Sequence, residues 1–465
     1  MNKDQENFID PGQIWNMLNS EQQSAPSWND ILAKARAAKG LTPEEVAAFL
    51  RADDPELWEQ VFAAARTVKE RIYGNRVVIF APLYLSNYCI NHCAYCGYHS
   101  GSGIVRRKLT QEEIADEVRA LEAMGHKRLA VELGEDPENS PLSYLLESLA
   151  TIYRVRHERG NIRRVNVNIA ATTVEEYRKL KTAGIGTYIL FQETYHQPAY
   201  EKYHPKGPKS DYLWHLTAFD RAMEAGNDDV GAGILFGLYD YRFELIALLH
   251  HAAHLEATFG VGPHTVSVPR IRQACGVDPQ TYQYLVSDEE FAKIIALIRL
   301  ALPYTGIILS TRESPELRRR FLQLGVSQIS AGSCTGVGGY HEKHKNPAEN
   351  TSQFRVEDHR KPDEIYMELC QTGYLPSFCT ACYRQGRTGD RFMELAKSGD
   401  IGRICTPNAL LTFQEYLLDY ASEETKTLGE DRIRETLDEM DDPQLRREIE
   451  RKLEQIKQGE RDLFY

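Results

Sequence analysis

The chain has 465 residues, 42% of them hydrophobic and 26% charged, proportions of an ordinary globular protein that exclude wholesale disorder and fibrous architectures. Its net charge of -12 disfavours attraction to a phosphate backbone, so no nucleic acid is expected as a main partner. The longest apolar stretches, 234–238 and 294–302, fall well short of the roughly 20 residues of a membrane helix. The first 20 residues hold Asp4, Glu6 and Asp10 without an apolar run, so no membrane association or secretion signal is expected, and the expected compartment is the cytoplasm.

Residues 1–76 read as polar helices, an N-terminal extension that caps the rest of the chain. From Val77 onward short segments rich in β-branched residues alternate with longer amphipathic ones. The strand candidates are 77–85, 128–133, 164–169, 187–192, 230–236, 264–270, 306–310 and 327–331. Helices fill the gaps. Thr110 and Glu113 form a capping box before a helix that Gly125 ends, and further helices are 174–183 closed by Gly184, 212–225 closed by Gly226 and 288–302 closed by Pro303. Eightfold strand–helix alternation predicts a (β/α)8 TIM barrel, in the α/β class, over residues 77–373. Residues 374–465 form a mostly helical C-terminal domain, in which Asp442 and Pro443 start a last, solvated helix.

Some features carry no assignment. Arg318, Arg319 and Arg320 read as a solvated helix face. The glycine-rich run 332–340 lacks the Gly-Lys-Ser/Thr end of a nucleotide loop and reads as a flexible connection. Cys275, Cys334 and Cys370 stand alone and read as buried apolar thiols.

The other six of the nine cysteines cluster in two groups. Cys89, Cys93 and Cys96 follow the first strand, on the face where barrels carry their active sites. A structural zinc site closes with four ligands, and only His92 stands near enough in sequence to be a fourth. Three thiolates instead suit three irons of a [4Fe-4S] cluster whose fourth iron stays open. Cys379, Cys382 and Cys405 again supply three thiolates, with a zinc knuckle completed by a distant histidine as the plainer reading. Thr406 and Pro407 read as a helix cap and first turn, which would place that group at the favourable end of a helix dipole.

The spacing Cys89-x3-Cys93-x2-Cys96, with aromatic Tyr95 before the third cysteine, resembles the radical S-adenosylmethionine (SAM) superfamily. That resemblance implies that the open iron chelates SAM and that one electron cleaves it to a 5'-deoxyadenosyl radical. Leu133-Gly134-Glu135 ends the second strand where the superfamily has Gly-Gly-Glu, the first glycine being replaced. Glu135 would accept hydrogen bonds from the methionine ammonium group, and Gly134 would let the backbone approach.

The spacing Cys379-x2-Cys382-x22-Cys405, with segments 191–196, 262–270 and 310–313, is similar to the tyrosine lyases that mature [FeFe]-hydrogenase, over nearly the whole chain. The sister enzymes of thiazole synthesis resemble the barrel but lack the C-terminal spacing. The resemblance implies two [4Fe-4S] clusters, SAM and an additional iron at the C-terminal cluster, held by His264. It implies cleavage of the Cα–Cβ bond of L-tyrosine to p-cresol and dehydroglycine, and conversion of the latter to carbon monoxide and cyanide. Its partners would be a reduced electron donor such as ferredoxin or flavodoxin and other hydrogenase maturation proteins.

Arg312, at the end of the seventh strand, can clamp the tyrosine carboxylate through two hydrogen bonds with Ser310 beside it, unless it pairs with Glu313. By alternation His264, Val266, Val268 and Arg270 share one face of the sixth strand. Arg270, Gln192 and Glu193 are then expected to face the first cluster, divided between SAM and tyrosine. The alternatives are a 2-iminoacetate synthase for thiazole biosynthesis and a non-catalytic iron-sulfur carrier or electron-transfer protein.

Overall fold

The computed structural model of the chain describes residues 7–20, 27–156, 159–274, 276–341, 351–398 and 401–465; Cys275 lies outside them. Eight parallel strands form the centre: β1 Arg76–Ser86, β2 Arg128–Leu133, β3 Arg164–Asn168, β4 Tyr188–Glu193, β5 Val230–Ile234, β6 Thr265–Ser267, β7 Gly306–Leu309 and β8 Gln328–Ser330. Each pairs with the next, and β1 pairs with both β8 and β2, which closes the barrel. The expected strands all occur, β6 and β8 being shorter than their apolar runs.

The capping chemistry read from the sequence operates in the folded chain. Thr110 and Glu113 exchange side-chain and backbone hydrogen bonds at the start of the helix Gln111–Ala123. Asp442 accepts from the backbone of Gln444 and Leu445 before the helix Pro443–Lys457. The helix expected over 212–225 is divided into Tyr212–Leu216 and Ala218–Glu224. At the break, Arg221 donates to Thr217 Oγ1 and to the Trp214 carbonyl, so a side chain takes up a backbone acceptor that a continuous helix would use.

A ninth strand, β9 Leu375–Ser377, pairs with Arg76–Val78 of β1, while β2 pairs with Ala81–Ser86. β1 therefore runs past β2 at the N-terminal end of the barrel, and β9 fills the space below. Pro376 made this strand illegible, because proline is confined to sheet edges and β9 has a neighbour on one side only. β9 leads directly into Cys379 and so brings the C-terminal cysteines to the barrel floor.

The N-terminal helices Pro11–Asn19, Trp28–Arg36, Pro43–Arg51 and Pro55–Tyr73 pack on the barrel flank, against the helices Tyr241–Phe259, Asp288–Ala301 and Pro315–Leu324. Residues of all regions, among them Ile14, Val118, Phe413 and Ile449, belong to one contiguous core. Among the described residues no helix is long and apolar enough to cross a membrane.

Two expectations are corrected. Arg318 does not belong to a solvated face: it is 2% exposed and ion-paired with fully buried Asp358. The run 332–340 is packed, with the Tyr340 hydroxyl donating to the Pro82 carbonyl and the Tyr98 hydroxyl to that of Thr335.

Candidate active site

The cysteine loop leaves the C-terminal end of β1 and is pinned on two sides. His92 N and Ala94 N donate to the carbonyls of Lys206 and Tyr203, and Ile90 N donates to that of Glu135. Gly134 has a steric reason to be glycine: a Cβ there would lie 2.3 Å from the Tyr88 carbonyl oxygen and 2.9 Å from Cys89 Cβ. The end of β2 is thus pressed against the first cysteine.

Cys89, Cys93 and Cys96 line a cavity of about 230 Å³ within the upper barrel, together with Tyr95, Gly134, Glu135, Glu193, Ser310 and Arg312. Tyr98 N donates to Cys96 Sγ at 3.4 Å and Gln353 Nε2 at 3.6 Å, contacts that favour a thiolate there. Burial raises all three thiols, Cys96 to about 11. Such sites hold metal because the metal displaces the proton. His92, the sequence's only nearby fourth ligand for zinc, does not line the cavity and lies 3.3 Å from Ser100 Oγ. Among the described residues no three His, Cys, Asp or Glu side chains gather on a single-ion position. A cluster is gripped at separate corners, so three thiols facing one cavity suit it without converging.

Glu135 accepts from Asn91 Nδ2 at 2.6 Å, and burial raises its carboxyl. Tyr95 is fixed by a 2.7 Å contact between its hydroxyl and His204 Nε2. β4 carries a bulge between Phe191 and Glu193, and Glu193 adopts φ 68°, a left-handed conformation unusual for a non-glycine residue. The bulge turns both Phe191 and Glu193 into the cavity, and Glu193 Oε1 meets Lys209 Nζ at 2.8 Å.

The same bulge corrects an expectation. Gln192 lies between the two inward residues, does not line the cavity and is buried near the Thr194 carbonyl. Arg270 is also turned away: its guanidinium is held by Glu313, by Asp288 at 2.9 Å and by the Val286 carbonyl at 3.0 Å. On the sixth segment Ser267 and Pro269 face the cavity, not Val266, Val268 and Arg270. A shared face from His264 to Arg270 does not form, since His264 precedes β6 and opens to the floor.

Arg312 does line the cavity. Its guanidinium stacks on Phe354, 3.5 Å from the ring centroid, and its backbone N donates to Ser310 Oγ at 3.3 Å. Glu313 is committed to Arg270 and Arg272, which removes the expected competitor for Arg312. Burial lowers the Arg312 pKa, opposed by Tyr84 and Glu193.

Inward-facing residues that the sequence reading missed complete the cavity. Glu132 accepts from Asn168 Nδ2 at 2.7 Å, and burial raises its carboxyl to about 8. Lys209 is held above the usual lysine range against its burial, chiefly by Glu193. Parity along β2 could have flagged Glu132, two residues from inward Ala130; Lys209 sits in a loop without periodicity and left no signal.

A second cavity lies at the barrel floor, lined by Cys379, Cys382, Cys405 and His264. Ala381 N donates to Cys379 Sγ at 3.5 Å. Cys382 and Cys405 share a hydrogen bond that pulls the Cys382 thiol down and pushes that of Cys405 well up. His264 packs 4.5 Å from the Phe392 ring, with Nδ1 3.9 Å from Asp229 Oδ2. Cys405 does not precede a helix start, since the helix Ile401–Asp419 already includes it and runs through Pro407. Pro407, the seventh residue of that helix, lacks the N–H that would bond the Arg403 carbonyl, so the helix carries it at the cost of one backbone hydrogen bond.

Residues 83–252 match the radical SAM superfamily and residues 267–375 the biotin and thiamin synthesis associated domain. The chain is 31% identical to 2-iminoacetate synthase of Escherichia coli (strain K12) over 362 residues, 75% of this chain and 93% of that one. The crystal structure of HydG, a maturase of the [FeFe]-hydrogenase, superposes with a TM-score of 0.96 at 56% identity, covering 99% of this chain and 100% of the other. That of HydG from Carboxydothermus hydrogenoformans gives 0.83 at 42% identity, covering 95% and 97%.

A closed parallel barrel with a three-cysteine loop at the top of β1 therefore defines a radical SAM enzyme. That class implies a [4Fe-4S] cluster and SAM, and the biotin and thiamin synthesis associated domain fits a second cluster. Within the class, the chain belongs to the HydG family.

Proposed function

We propose that this chain is a tyrosine lyase of hydrogenase maturation. It cleaves the Cα–Cβ bond of L-tyrosine to p-cresol and dehydroglycine in the upper cavity, and the fragment yields carbon monoxide and cyanide at the floor. The observation that carries this reading is the floor cavity, where three cysteines and His264 stand at the opposite end of the barrel from the first three. A 2-iminoacetate synthase has no task for such a second site, and an electron carrier has none for the upper cavity.

When bound, the upper cluster supplies the electron that cleaves SAM, and the lower one with its additional iron supplies the metal on which the diatomic products are held. The chain's own residues do the rest. Cys89, Cys93 and Cys96 hold the first cluster, and Cys379, Cys382 and Cys405 the second, with His264 for the additional iron. Glu135, already oriented by Asn91, accepts from the ammonium group of SAM, and Gly134, Tyr95 and Glu193 shape its seat. Arg312 and Ser310 take the tyrosine carboxylate, the stacked guanidinium keeping two N–H groups on one edge for two parallel bonds. A reduced ferredoxin or flavodoxin would supply electrons, and other maturation proteins would receive the product.

Anaerobic incubation of the reconstituted enzyme with SAM, dithionite and tyrosine tests the reading. Cys93→Ala is expected to abolish p-cresol, whereas Cys379→Ala still forms p-cresol but no carbon monoxide. Carbon monoxide from the Cys379 variant at the unmodified level would return the floor cysteines to a structural role, and an unmodified enzyme that forms no p-cresol would end the lyase reading.

A further inference from the structure

The upper cavity is also lined by Gln353 and Phe354, whose backbone is held on two sides. Gln353 N donates to the Thr335 carbonyl at 3.0 Å, Gly97 N donates to the Gln353 carbonyl at 3.2 Å, and Thr335 Oγ1 donates to the Phe354 carbonyl at 2.8 Å. Gly97 must lack a side chain for this approach, because a Cβ there would lie 2.6 Å from the Gln353 carbonyl oxygen. Main-chain bonds and a glycine therefore seat the segment without help from the Gln353 side chain.

That side chain is committed elsewhere. Tyr84, 4% exposed on β1, donates its hydroxyl to Gln353 Oε1 at 3.0 Å, and Gln353 Nε2 donates to Cys96 Sγ at 3.6 Å. The order matters, since the reversed amide would set its carbonyl oxygen against the sulfur, and two electron-rich atoms repel. Tyr84 thus selects the orientation in which an N–H meets the thiolate. Tyr98 N also donates to this sulfur, at 3.4 Å, but it belongs to the cysteine loop itself. Gln353 comes from 257 residues further along the chain to supply a second donor.

We propose that Gln353 is a positioning residue that sets the reduction potential of the upper cluster, through an N–H bond to the Cys96 sulfur that Tyr84 orients. Reduction adds one electron to the cluster. The positive end of the N–H dipole stabilises the more negative reduced state more than the oxidised one, so the bond raises the potential. The inference rests on the radical SAM class and not on tyrosine as the substrate.

Anaerobic redox titration of the cluster-loaded enzyme without tyrosine, read by the spin-resonance signal that responds to SAM, tests it. Gln353→Met keeps the reach of the side chain but removes the donor. It is expected to lower the reduced-to-oxidised ratio at a set potential about threefold or more, a fall of about 28 mV for one electron at about 59 mV per tenfold. Tyr84→Phe leaves Gln353 in place but frees its amide to turn, and is expected to shift the potential in the same direction by less. The sign separates a lost donor from loosened packing. Water admitted to the cluster would favour the more negative reduced state and raise the potential, whereas loss of the N–H lowers it. If Gln353→Met fails to retain the cluster by iron content, Tyr84→Phe decides. An unchanged or raised potential in the deciding variant overturns the proposal. Because no tyrosine is turned over, a failed lyase reading and a failed assignment of Gln353 give separate results.

Discussion

Gly134 and Arg312 show how differently single residues enter this site. Gly134 acts by what it lacks, since any side chain would strike the Tyr88 carbonyl. Arg312 acts by shape, a planar fork stacked on Phe354 with its neighbour Glu313 bonded elsewhere. Arg312→Lys is therefore expected to raise the KM for tyrosine about tenfold or more with a smaller fall in kcat, because it removes an interaction made in ground and transition states alike. Steady-state p-cresol kinetics at varied tyrosine and at varied SAM check this, and a defect confined to SAM would move Arg312 out of the substrate site. The cysteines were legible because thiol spacing encodes its chemistry locally. Glu132 and Lys209 were not, since a lone charged residue shows its use only when the barrel closes around it. Arg270 misled because the alternation was counted from His264, which precedes β6; Val266 within the strand already faces away from the cavity, and Arg270 shares its side and satisfies its charge there.

At the scale of elements, strand order and most caps could be read from periodicity and turn residues, whereas two irregularities could not. The β4 bulge depends on pairing with β5, and β9 exists only because β1 overruns β2. The helix Pro315–Leu324 likewise hides a tertiary fact behind three consecutive arginines. Arg318 reaches inward to Asp358 and the Ser330 carbonyl, while Arg319 and Arg320 pair at the surface with Glu368 and Glu289. Asp358→Ala leaves a buried guanidinium without its carboxylate and is expected to destabilise the fold by about 3–5 kcal/mol. Glu289→Ala is expected to cost well under about 1 kcal/mol. Urea unfolding of the cluster-free protein compares them, and equal effects would show that the Arg318 pair contributes no more than a surface one.

Across the whole molecule, extensions and barrel share one core, so buried titratable groups bear on the stability of the entire chain. Glu244 is 1% exposed, accepts from Thr194 Oγ1 and Tyr195 N, and is raised by burial to about 8. The folded state keeps its proton where the unfolded chain, with a carboxyl near 4.5, has lost it. Its stabilising contribution is thus full below that value and is lost as the pH rises through about 8. Urea midpoints are expected to fall between about pH 6 and about pH 8, and Glu244→Gln, which keeps the neutral form, is expected to flatten part of that slope. An unchanged slope in the variant would assign the pH dependence to other groups.

β1 has a further consequence. Its ten residue steps from Arg76 to Ser86 span roughly 33 Å; Cys89 follows its upper end, and Arg76 at its lower end bonds Thr406, next to Cys405. A hydrogen-bonded strand does not stretch, so it sets a fixed baseline between the two cysteine groups. Electron tunnelling falls off exponentially with distance, so direct exchange across such a baseline would be slow. Were the proposed clusters held at both groups, each would then need its own route for electrons, and an anaerobic redox titration is expected to reduce the two independently.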